Sequence, residues 1–190
     1  MDLIEMIEKA RTGDQEAFVS LYSEYKTSLY RYAYYRLGNP QDAEDAVSEC
    51  VLSAWKQIRD LKSPDAFSVW LFRILGGACA ARIREQVRRR QMASLDAGEG
   101  AGGGSSDGEL PGDRGIPGQS GFVPGGDPAE TLSLMDALAS LAEDEREIVL
   151  LASVTGFTSA EIAGHVGLTP GSVRSKLSRS LAKLRRDREG

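Results

Sequence analysis

Residues 158–188 read TSAEIAGHVGLTPGSVRSKLSRSLAKLRRDR, and their spacing predicts two helices joined by a tight turn. Thr158 and Glu161 have the separation of a capping box at the start of the first helix. Gly167 supplies the backbone freedom that a sharp turn between helices requires. Thr169, followed at once by a proline, has the pattern of an N-cap, so the second helix begins there. The stretch therefore predicts a helix-turn-helix unit.

The second helix of this unit divides into an apolar stripe and a polar, basic face. Apolar residues recur on one side at helical spacing, at Val173, Leu177, Leu181 and Leu184. On the other sides, small polar residues permit close approach to DNA, and arginines can reach guanine edges or phosphates. We therefore predict that this helix enters a major groove; the alternative is an amphipathic hairpin with a solvated basic face. The candidate DNA-contacting residues are Ser172, Arg174, Ser175, Lys176, Ser178, Arg179 and Arg186.

The distribution of charge reconciles a net charge of -5 with nucleic-acid binding. Residues 174–188 carry seven lysines and arginines against one aspartate, and residues 82–90 carry five arginines against one glutamate. The acidic residues lie mostly elsewhere. The sequence thus predicts two basic patches on an acidic body.

The cysteines and the single histidine give no sign of a metal, redox or catalytic site. Cys50 and Cys79 lie in apolar helical contexts without a CxxC spacing, so buried thiols are expected. His165 has no ligand-like neighbours in the sequence. Because a phosphate-binding loop is also missing, we expect no cofactor, no metal and no enzymatic activity.

Composition also bears on the cellular location. Hydrophobic residues make up 41% of the sequence, which is enough for a packed core. The acidic N-terminal stretch has no signal-peptide core, and no apolar run approaches the roughly 18 residues of a membrane span. We therefore expect a cytoplasmic protein without membrane insertion.

The first 60 residues predict three helices. A short amphipathic helix over 2–11 precedes a long one over 15–37, which Asp14 can cap, and Asn39 caps a third. The apolar stripe of the long helix follows a four-three-four-three spacing through Phe18, Tyr22, Tyr25, Leu29 and Tyr32. The third helix begins with acidic residues, which on spacing alone indicate a solvated start matched to the helix dipole.

A fourth helix, which Ser63 and Pro64 are predicted to cap and begin, carries aromatic residues first and arginines later. Rings that stack on bases beside cations that hold phosphate are what a binder of single-stranded DNA uses. Core aromatics with a solvated basic end explain the pattern equally well. Between them, Gly76 and Gly77 predict a kink or a close approach by another backbone, because each costs about 1 kcal/mol relative to alanine inside a helix.

Residues 91–127 differ abruptly in composition from the rest of the chain. They contain twelve of the 21 glycines and three of the seven prolines, with few apolar residues, which predicts a disordered acidic linker. Two helices follow, one from residue 128 and one over 143–154, before the helix-turn-helix unit. We therefore predict an all-α protein with two helical domains, 1–90 and 128–190, joined by this linker.

Three blocks in this order resemble the bacterial extracytoplasmic-function (ECF) sigma factors of RNA polymerase. Residues 39–47, NPQDAEDAV, resemble the family's region-two helix, and residues 67–74, FSVWLFRI, resemble the part that handles the melted −10 promoter element. Residues 137–146 and 156–179 are similar to region four, which reads the −35 element. The family commonly has Ala-Arg-Asn where this chain has Leu75-Gly76-Gly77, so polar side chains are missing from the promoter-facing helix.

The resemblance implies a function and a set of contacts. A sigma factor directs core RNA polymerase to promoters and initiates transcription, so the expected partners are promoter DNA and the β′ clamp and β flap of the polymerase. The loop over 61–67 is implied as a pocket for a flipped promoter base. The implied polymerase contacts are Asp42, Glu44, Asp45 and Glu49. The implied contacts to the −10 element are Phe67, Trp70, Arg73, Arg82 and Arg84.

Other interpretations remain beside this one. A helix-turn-helix regulator that binds DNA independently of polymerase would share the C-terminal pattern. A helical interaction module would share only the fold. An anti-sigma factor is a further candidate partner.

Overall fold

The computed structural model describes residues 2–96 and 128–189, and within those ranges every regular element is helical. The N-terminal domain contains α1 (Leu3–Arg11), α2 (Gln15–Leu37), α3 (Pro40–Gln57) and α4 (Phe67–Asp96). The C-terminal domain contains α5 (Pro128–Ala139), α6 (Glu143–Leu150), α7 (Ser159–Val166) and α8 (Pro170–Glu189). The predicted all-α fold is confirmed.

Local capping fixes most of the predicted helix starts. The Asp14 carboxylate accepts a hydrogen bond from the Ala17 amide, at 3.0 Å, at the start of α2. Asn39 accepts from the first amides of α3. Ser63 makes no capping hydrogen bond, and a 3-10 turn over Pro64–Ala66 precedes α4, so the predicted start of that helix was wrong by one turn. Side-chain oxygens thus satisfy the amides that the start of a helix leaves unpaired.

The core of the N-terminal domain lies between α2, α3 and α4. On the predicted stripe of α2, Phe18, Leu29 and Tyr32 are buried, and the two intervening tyrosines are half-buried. The Phe18 ring contacts Trp55 of α3, with the ring centres 5.0 Å apart. Phe72 of α4 meets Tyr32 edge to face at 5.7 Å. These rings bury enough apolar surface to stabilise the bundle by about 2 kcal/mol or more each.

Helix α4 differs from its predicted form in two respects. It continues without interruption through Gly76 and Gly77, and it runs to Asp96, into the segment predicted as linker. The remainder of that segment, 97–127, lies outside the described residues. The stretch Pro64–Ala93 is long and apolar enough to cross a membrane by length and composition alone. Part of this stretch, including Leu71, Phe72 and Leu75, packs in the helical core, which accounts for some of its hydropathy.

The C-terminal domain packs α6, α7 and α8 around fully buried Ile148, Leu151, Ile162 and Val173. The predicted helix over 143–154 is α6 followed by a π-helical turn over Leu151–Thr155. Some large apolar side chains of this domain stay exposed, namely Leu132 and Leu134 of α5 and Leu168 in the turn before α8. The four predicted helices of this domain are otherwise present.

The two domains contact each other along one side of the bundle. Helix α2 packs on α6 and on the π-helical turn, while α4 packs on α7. Phe72 meets Phe157 edge to face, with the ring centres 5.6 Å apart. This contact brings together residues that are more than 80 positions apart in the sequence.

Candidate functional site

The helix-turn-helix unit has the predicted backbone geometry. The Glu161 amide donates to Thr158 Oγ1 at 3.3 Å, and the Thr158 amide donates to Glu161 Oε2 at 2.8 Å, which completes the capping box. Gly167 adopts a left-handed conformation with φ of 72°. The Ser172 amide donates to Thr169 Oγ1 at 3.2 Å and begins α8. These local features set where α7 begins and ends and where α8 begins.

One face of α8 is buried and the opposite face is exposed. Val173 and Ser180 are buried against α6 and α7. Lys176 differs from the other predicted DNA contacts because it forms an ion pair with Asp144 of α6 and is only partly exposed. The remaining predicted contacts are all exposed: Ser172, Arg174, Ser175, Ser178, Arg179 and Arg186.

The residues predicted to handle the −10 element are not equally accessible. Phe67 is only 2% exposed and packs edge to face against Tyr25, so its ring is not accessible to DNA in this arrangement. Trp70 is half-buried beside Phe67, with ring centres 5.8 Å apart. Arg73 is exposed, and its guanidinium donates to the Gly164 carbonyl of the C-terminal domain at 2.8 Å. Phe67 therefore belongs to the core.

The residues predicted to bind polymerase and those predicted to bind DNA meet between α3 and α4. Arg82 forms an ion pair with Asp45 at 3.0 Å and lies 3.9 Å from Asp42. The Gln86 side chain donates to Asp42 at 2.7 Å. The geometry joins the start of α3 to the middle of α4, so Arg82 has a structural role beside any contact with DNA. Of the remaining predicted residues, Arg84 and Glu49 are exposed and Glu44 is half-buried.

The basic end of α4 is stabilised along its own helix. Glu85 bridges Arg88 at 2.7 Å and Arg89 at 3.1 Å. The hydrogen bonds from these two arginines lower the pKa of the Glu85 carboxyl below its usual value. The arginines themselves stay largely exposed, which leaves a cationic surface on this part of the helix.

A cluster of polar side chains between the domains was not predicted. Glu147 of α6 accepts from Arg36 Nη1 at 2.7 Å and from the Tyr32 hydroxyl at 3.1 Å. His165 Nε2 of α7 lies 3.1 Å from the same carboxylate oxygen. The side chains of Arg36 and His165 are each only 5% exposed. We refer to Tyr32, Arg36, Glu147 and His165 as the interdomain cluster.

The electrostatics of the interdomain cluster favour its charged form. Burial alone would raise the pKa of Glu147, but the hydrogen bond from His165 and the charge of Arg36 outweigh it and lower that pKa to about 2. Burial alone would lower the pKa of Arg36, but the neighbouring Tyr32 and Glu147 outweigh it together and raise that pKa above its usual value. A buried carboxylate and a buried guanidinium are therefore held as an ion pair.

One signal in the sequence could have revealed part of this cluster. Arg36 falls four residues after Tyr32, so it continues the spacing of the buried stripe of α2. A cation at a core position needs a buried partner. The identity of that partner was not accessible, because Glu147 lies 111 residues away. His165, which has no ligand-like neighbours in the sequence, meets Glu147 only through the packing of α7 on α6. Within residues 2–96 and 128–189 no group of three metal-ligating side chains forms around it.

Comparisons with known proteins match both domains. The family model for sigma-70 region 2 matches residues 21–89, and the model for sigma-70 region 4 matches residues 131–184. The chain is 32% identical to the RNA polymerase sigma factor NccH of Alcaligenes xylosoxydans xylosoxydans, over 93% of this chain and 89% of that protein. It is 30% identical to the ECF RNA polymerase sigma factor BldN of Streptomyces coelicolor, over 97% of this chain. It spans 65% of the length of BldN.

A solved structure supports the same fold. The sigma factor RpoE from Bartonella quintana, solved in complex with the anti-sigma factor NepR, superposes with a TM-score of 0.59 at 21% sequence identity. The alignment covers 90% of this chain and 97% of RpoE. The likeness is one of helical architecture across both domains.

Proposed function

The chain belongs to the extracytoplasmic-function (ECF) group of RNA polymerase sigma factors, and from this premise we propose how its two domains divide promoter recognition. It directs core RNA polymerase to specific promoters and initiates transcription. It acts as a specificity subunit in the cytoplasm and catalyses no reaction itself.

The C-terminal domain reads the −35 element. The observation that carries this proposal is the exposed polar face of α8, which lies opposite the buried Val173. A helix anchored by one apolar stripe can place its other face in a major groove, where arginines pair with guanine edges or phosphates. The proposed contacts are Ser172, Arg174, Ser175, Lys176, Ser178, Arg179 and Arg186. Lys176 must exchange its bond to Asp144 for one to DNA.

The N-terminal domain binds polymerase and handles the −10 element. We place the contact with the β′ clamp on the start of α3, at Asp42, Glu44, Asp45 and Glu49. Trp70, Arg73, Arg82 and Arg84 are the proposed −10 contacts, since rings and cations together suit unpaired DNA. Phe67 supports them from the core rather than touching DNA.

The proposed partners are core polymerase, at its β′ clamp and β flap, promoter DNA and an anti-sigma factor. The anti-sigma partner is inferred from RpoE, which has been solved with one. The match to region 2 over residues 21–89 disfavours the alternative of a regulator that acts without polymerase, because such a regulator has no need of a clamp-binding domain.

Transcription in vitro tests the proposal. Purified core polymerase is incubated with this protein and with fragmented genomic DNA of the bacterium that encodes it, and the 5′ ends of the products are sequenced. We expect the 5′ ends to lie downstream of one shared pair of −35 and −10 motifs, and only when the protein is present. Absence of core binding by size-exclusion chromatography, together with absence of such products, would reject the proposal.

A further inference from the structure

We propose that Asp144 of α6 is a positioning residue for −35 recognition, which competes with promoter DNA for the ammonium group of Lys176 and so weakens the binding of α8 to the duplex. Asp144 acts through that lysine and contacts no base itself. The inference deepens the proposed function and rests on it, since the competition matters only if α8 faces DNA.

The cations of α8 fall into two groups. The two lysines are only partly exposed, and both bind the place where α5 ends and α6 begins. Lys176 forms an ion pair with the Asp144 carboxylate, and Lys183 donates to the Ser140 backbone carbonyl. The lysines are seven residues apart, about two helical turns, so they lie on one side of α8. The arginines whose side chains the structure describes are exposed instead: Arg174, Arg179, Arg185 and Arg186.

The ion pair between Lys176 and Asp144 is accessible to solvent. The side chain of Lys176 is 29% exposed and that of Asp144 is 53% exposed. The hydrogen bond from Lys176 is the main cause that lowers the pKa of the Asp144 carboxyl below its usual value, so the carboxylate stays charged at neutral pH. Because water reaches both groups, the pair can break without leaving a buried charge uncompensated. The contact is therefore one that can be exchanged.

Lys176 lies at the edge of the exposed face of α8. It follows the fully buried Val173 by three residues, so the two side chains are neighbours on the helix surface. When a helix lies in a major groove, side chains at the edges of its exposed face are the ones next to the phosphates that flank the groove. A lysine ammonium is a compact point charge that suits a phosphate. We therefore assign the DNA contact of Lys176 to a phosphate rather than to a base.

The carboxylate and the phosphate compete for the same ammonium group. A phosphate that approaches Lys176 also approaches Asp144, and the two anions repel each other. DNA binding must break the ion pair or bear that repulsion, and either one weakens binding. An exposed ion pair typically changes an equilibrium constant roughly two- to fivefold. Asp144 should therefore lower the affinity of α8 for DNA by about this factor.

The effect of Asp144 should not depend on the DNA sequence. A phosphate contact carries no sequence information, so the competition lowers binding to every duplex by a similar factor. A promoter-binding protein meets a large excess of non-specific sites, and exposed cations are attracted to all of them. Asp144 thus restrains the general attraction of α8 to DNA, and discrimination between −35 sequences is left to the other residues of the exposed face.

The ion pair itself can be measured on the full chain without DNA. The chain is treated with N-hydroxysuccinimidyl acetate, and acetylation of each lysine is followed by mass spectrometry. We expect Lys176 to react severalfold faster in Asp144→Asn than in the parent chain, because its ammonium group is then no longer held by the carboxylate. Lys26, which is exposed on α2, is the internal reference and should react equally in both chains. Equal reactivity of Lys176 in the two chains would overturn the proposal.

Titration of the holoenzyme tests the competition. Core polymerase with each full chain is titrated against a labelled duplex that carries the −35 and −10 motifs recovered by transcription in vitro, at several salt concentrations. Asp144→Asn should tighten the apparent Kd roughly two- to fivefold. Lys176→Ala should weaken binding and reduce the slope of log K against log salt by about 0.9, as the loss of one phosphate contact requires. Asp144→Glu keeps the charge and should restore the parent Kd, and Asp136→Asn, the same change at an exposed residue of α5, should leave it unchanged.

A double variant separates competition from a structural role. Asp144 lies in the first turn of α6, where a carboxylate also favours the helix dipole, so a purely structural loss would weaken DNA binding rather than tighten it. If Asp144 acts through Lys176, Asp144→Asn should have no effect on Kd once Lys176 is replaced by alanine. Tightening of the same size without Lys176, or no tightening with it, would overturn the proposal. Failure of the parent holoenzyme to bind the promoter would instead reject the proposed function, while acetylation would still show whether the ion pair forms.

Discussion

At the scale of single residues, Glu147 links the two domains, although the sequence analysis did not predict a role for it. Its carboxylate meets Arg36 and Tyr32 from one domain and His165 from its own. Removing one partner of a buried ion pair leaves the other charge uncompensated, which typically costs about 3–5 kcal/mol. The stability of the contact between the domains therefore depends on the charge of Glu147.

Stability should depend on pH through Glu147. Its pKa is lowered from 4.5 to about 2 in the folded chain, so its contribution is fully present above pH 4.5 and is lost as the pH falls towards 2. We expect a loss on the order of 2–3 kcal/mol across this window. Urea unfolding of the parent chain and of Glu147→Gln between pH 6 and pH 2 measures it. Parallel pH profiles for the two chains would contradict the assignment, because other carboxylates titrate equally in both.

At the scale of secondary structure, α7 and α8 depend on bonds that the sequence alone identifies. The capping box of Thr158 and Glu161 closes the first turn of α7. The apolar stripe of α8 then holds the reading face outward. Each helix can be tested by a change that leaves its partner intact.

The N-cap of α7 should contribute measurably to stability. Replacing Thr158 by alanine removes the oxygen that accepts from the Glu161 amide, so we expect a loss of about 1 kcal/mol in the free energy of unfolding. Chemical denaturation monitored by circular dichroism measures the change. Thr27→Ala, at an exposed position within α2, is the matched control and should cost less, since alanine favours a helix interior. Equal losses in the two variants would show that the cap is not stabilising.

The arginines of α8 should set −35 recognition. Arg174→Ala and Arg179→Ala should each reduce transcription from a promoter with an intact −35 element about 10- to 100-fold, the effect of losing a good contact to a base. Lys26→Ala removes an exposed cation from α2 and should have little effect. Run-off transcription on templates with intact and scrambled −35 elements measures this. A reduction of the same size on both templates would point to a contact with the phosphate backbone, and no reduction would exclude α8 as the reading helix.

At the scale of the whole molecule, the two domains should influence each other's unfolding. Both tryptophans of the sequence, Trp55 and Trp70, lie in the N-terminal domain, whereas far-UV circular dichroism reports helices of both domains. If the interdomain cluster couples the domains, fluorescence and circular dichroism should give nearly coincident urea transitions in the parent chain.

Loss of the coupling should separate those transitions. In Glu147→Gln, we expect the midpoints reported by fluorescence and by circular dichroism to move apart, because each domain then unfolds by its own stability. Glu143→Gln changes an exposed carboxylate that also pairs with Arg36, but at the longer distance of 3.5 Å, so it should separate the midpoints less than Glu147→Gln does. Transitions that are already well separated in the parent chain would contradict coupling between the domains.

The local features of the fold were predictable because their causes lie within a few residues. Asp14, Asn39, Thr158 and Thr169 cap helices through bonds to amides two or three residues later. The apolar stripes of α2 and α8, whose members are buried or partly buried, follow helical periodicity. The exposed face of α8 follows in turn, since a helix with one apolar side must turn the other outward.

Predictions failed where a residue's environment depended on distant parts of the chain. Phe67 has an aromatic ring that could stack on a base, but its ring packs against Tyr25 and Trp70 and belongs to the core. Gly76 and Gly77 look alike in the sequence, yet only Gly76 faces another domain. Periodicity identifies which side of a helix is buried, but it does not identify what covers that side.

The sequence by itself determined the helices, their caps, the two-domain order and the resemblance to ECF sigma factors, because these follow from short-range hydrogen bonding and from the period of apolar residues. Only the tertiary structure decided that Arg36, Glu147 and His165 meet, and that α7 lies against α4. The physical reason is that a buried charge requires a partner without specifying one. The sequence contains many carboxylates that could pair with Arg36, and the packing of the two domains places Glu147 beside it.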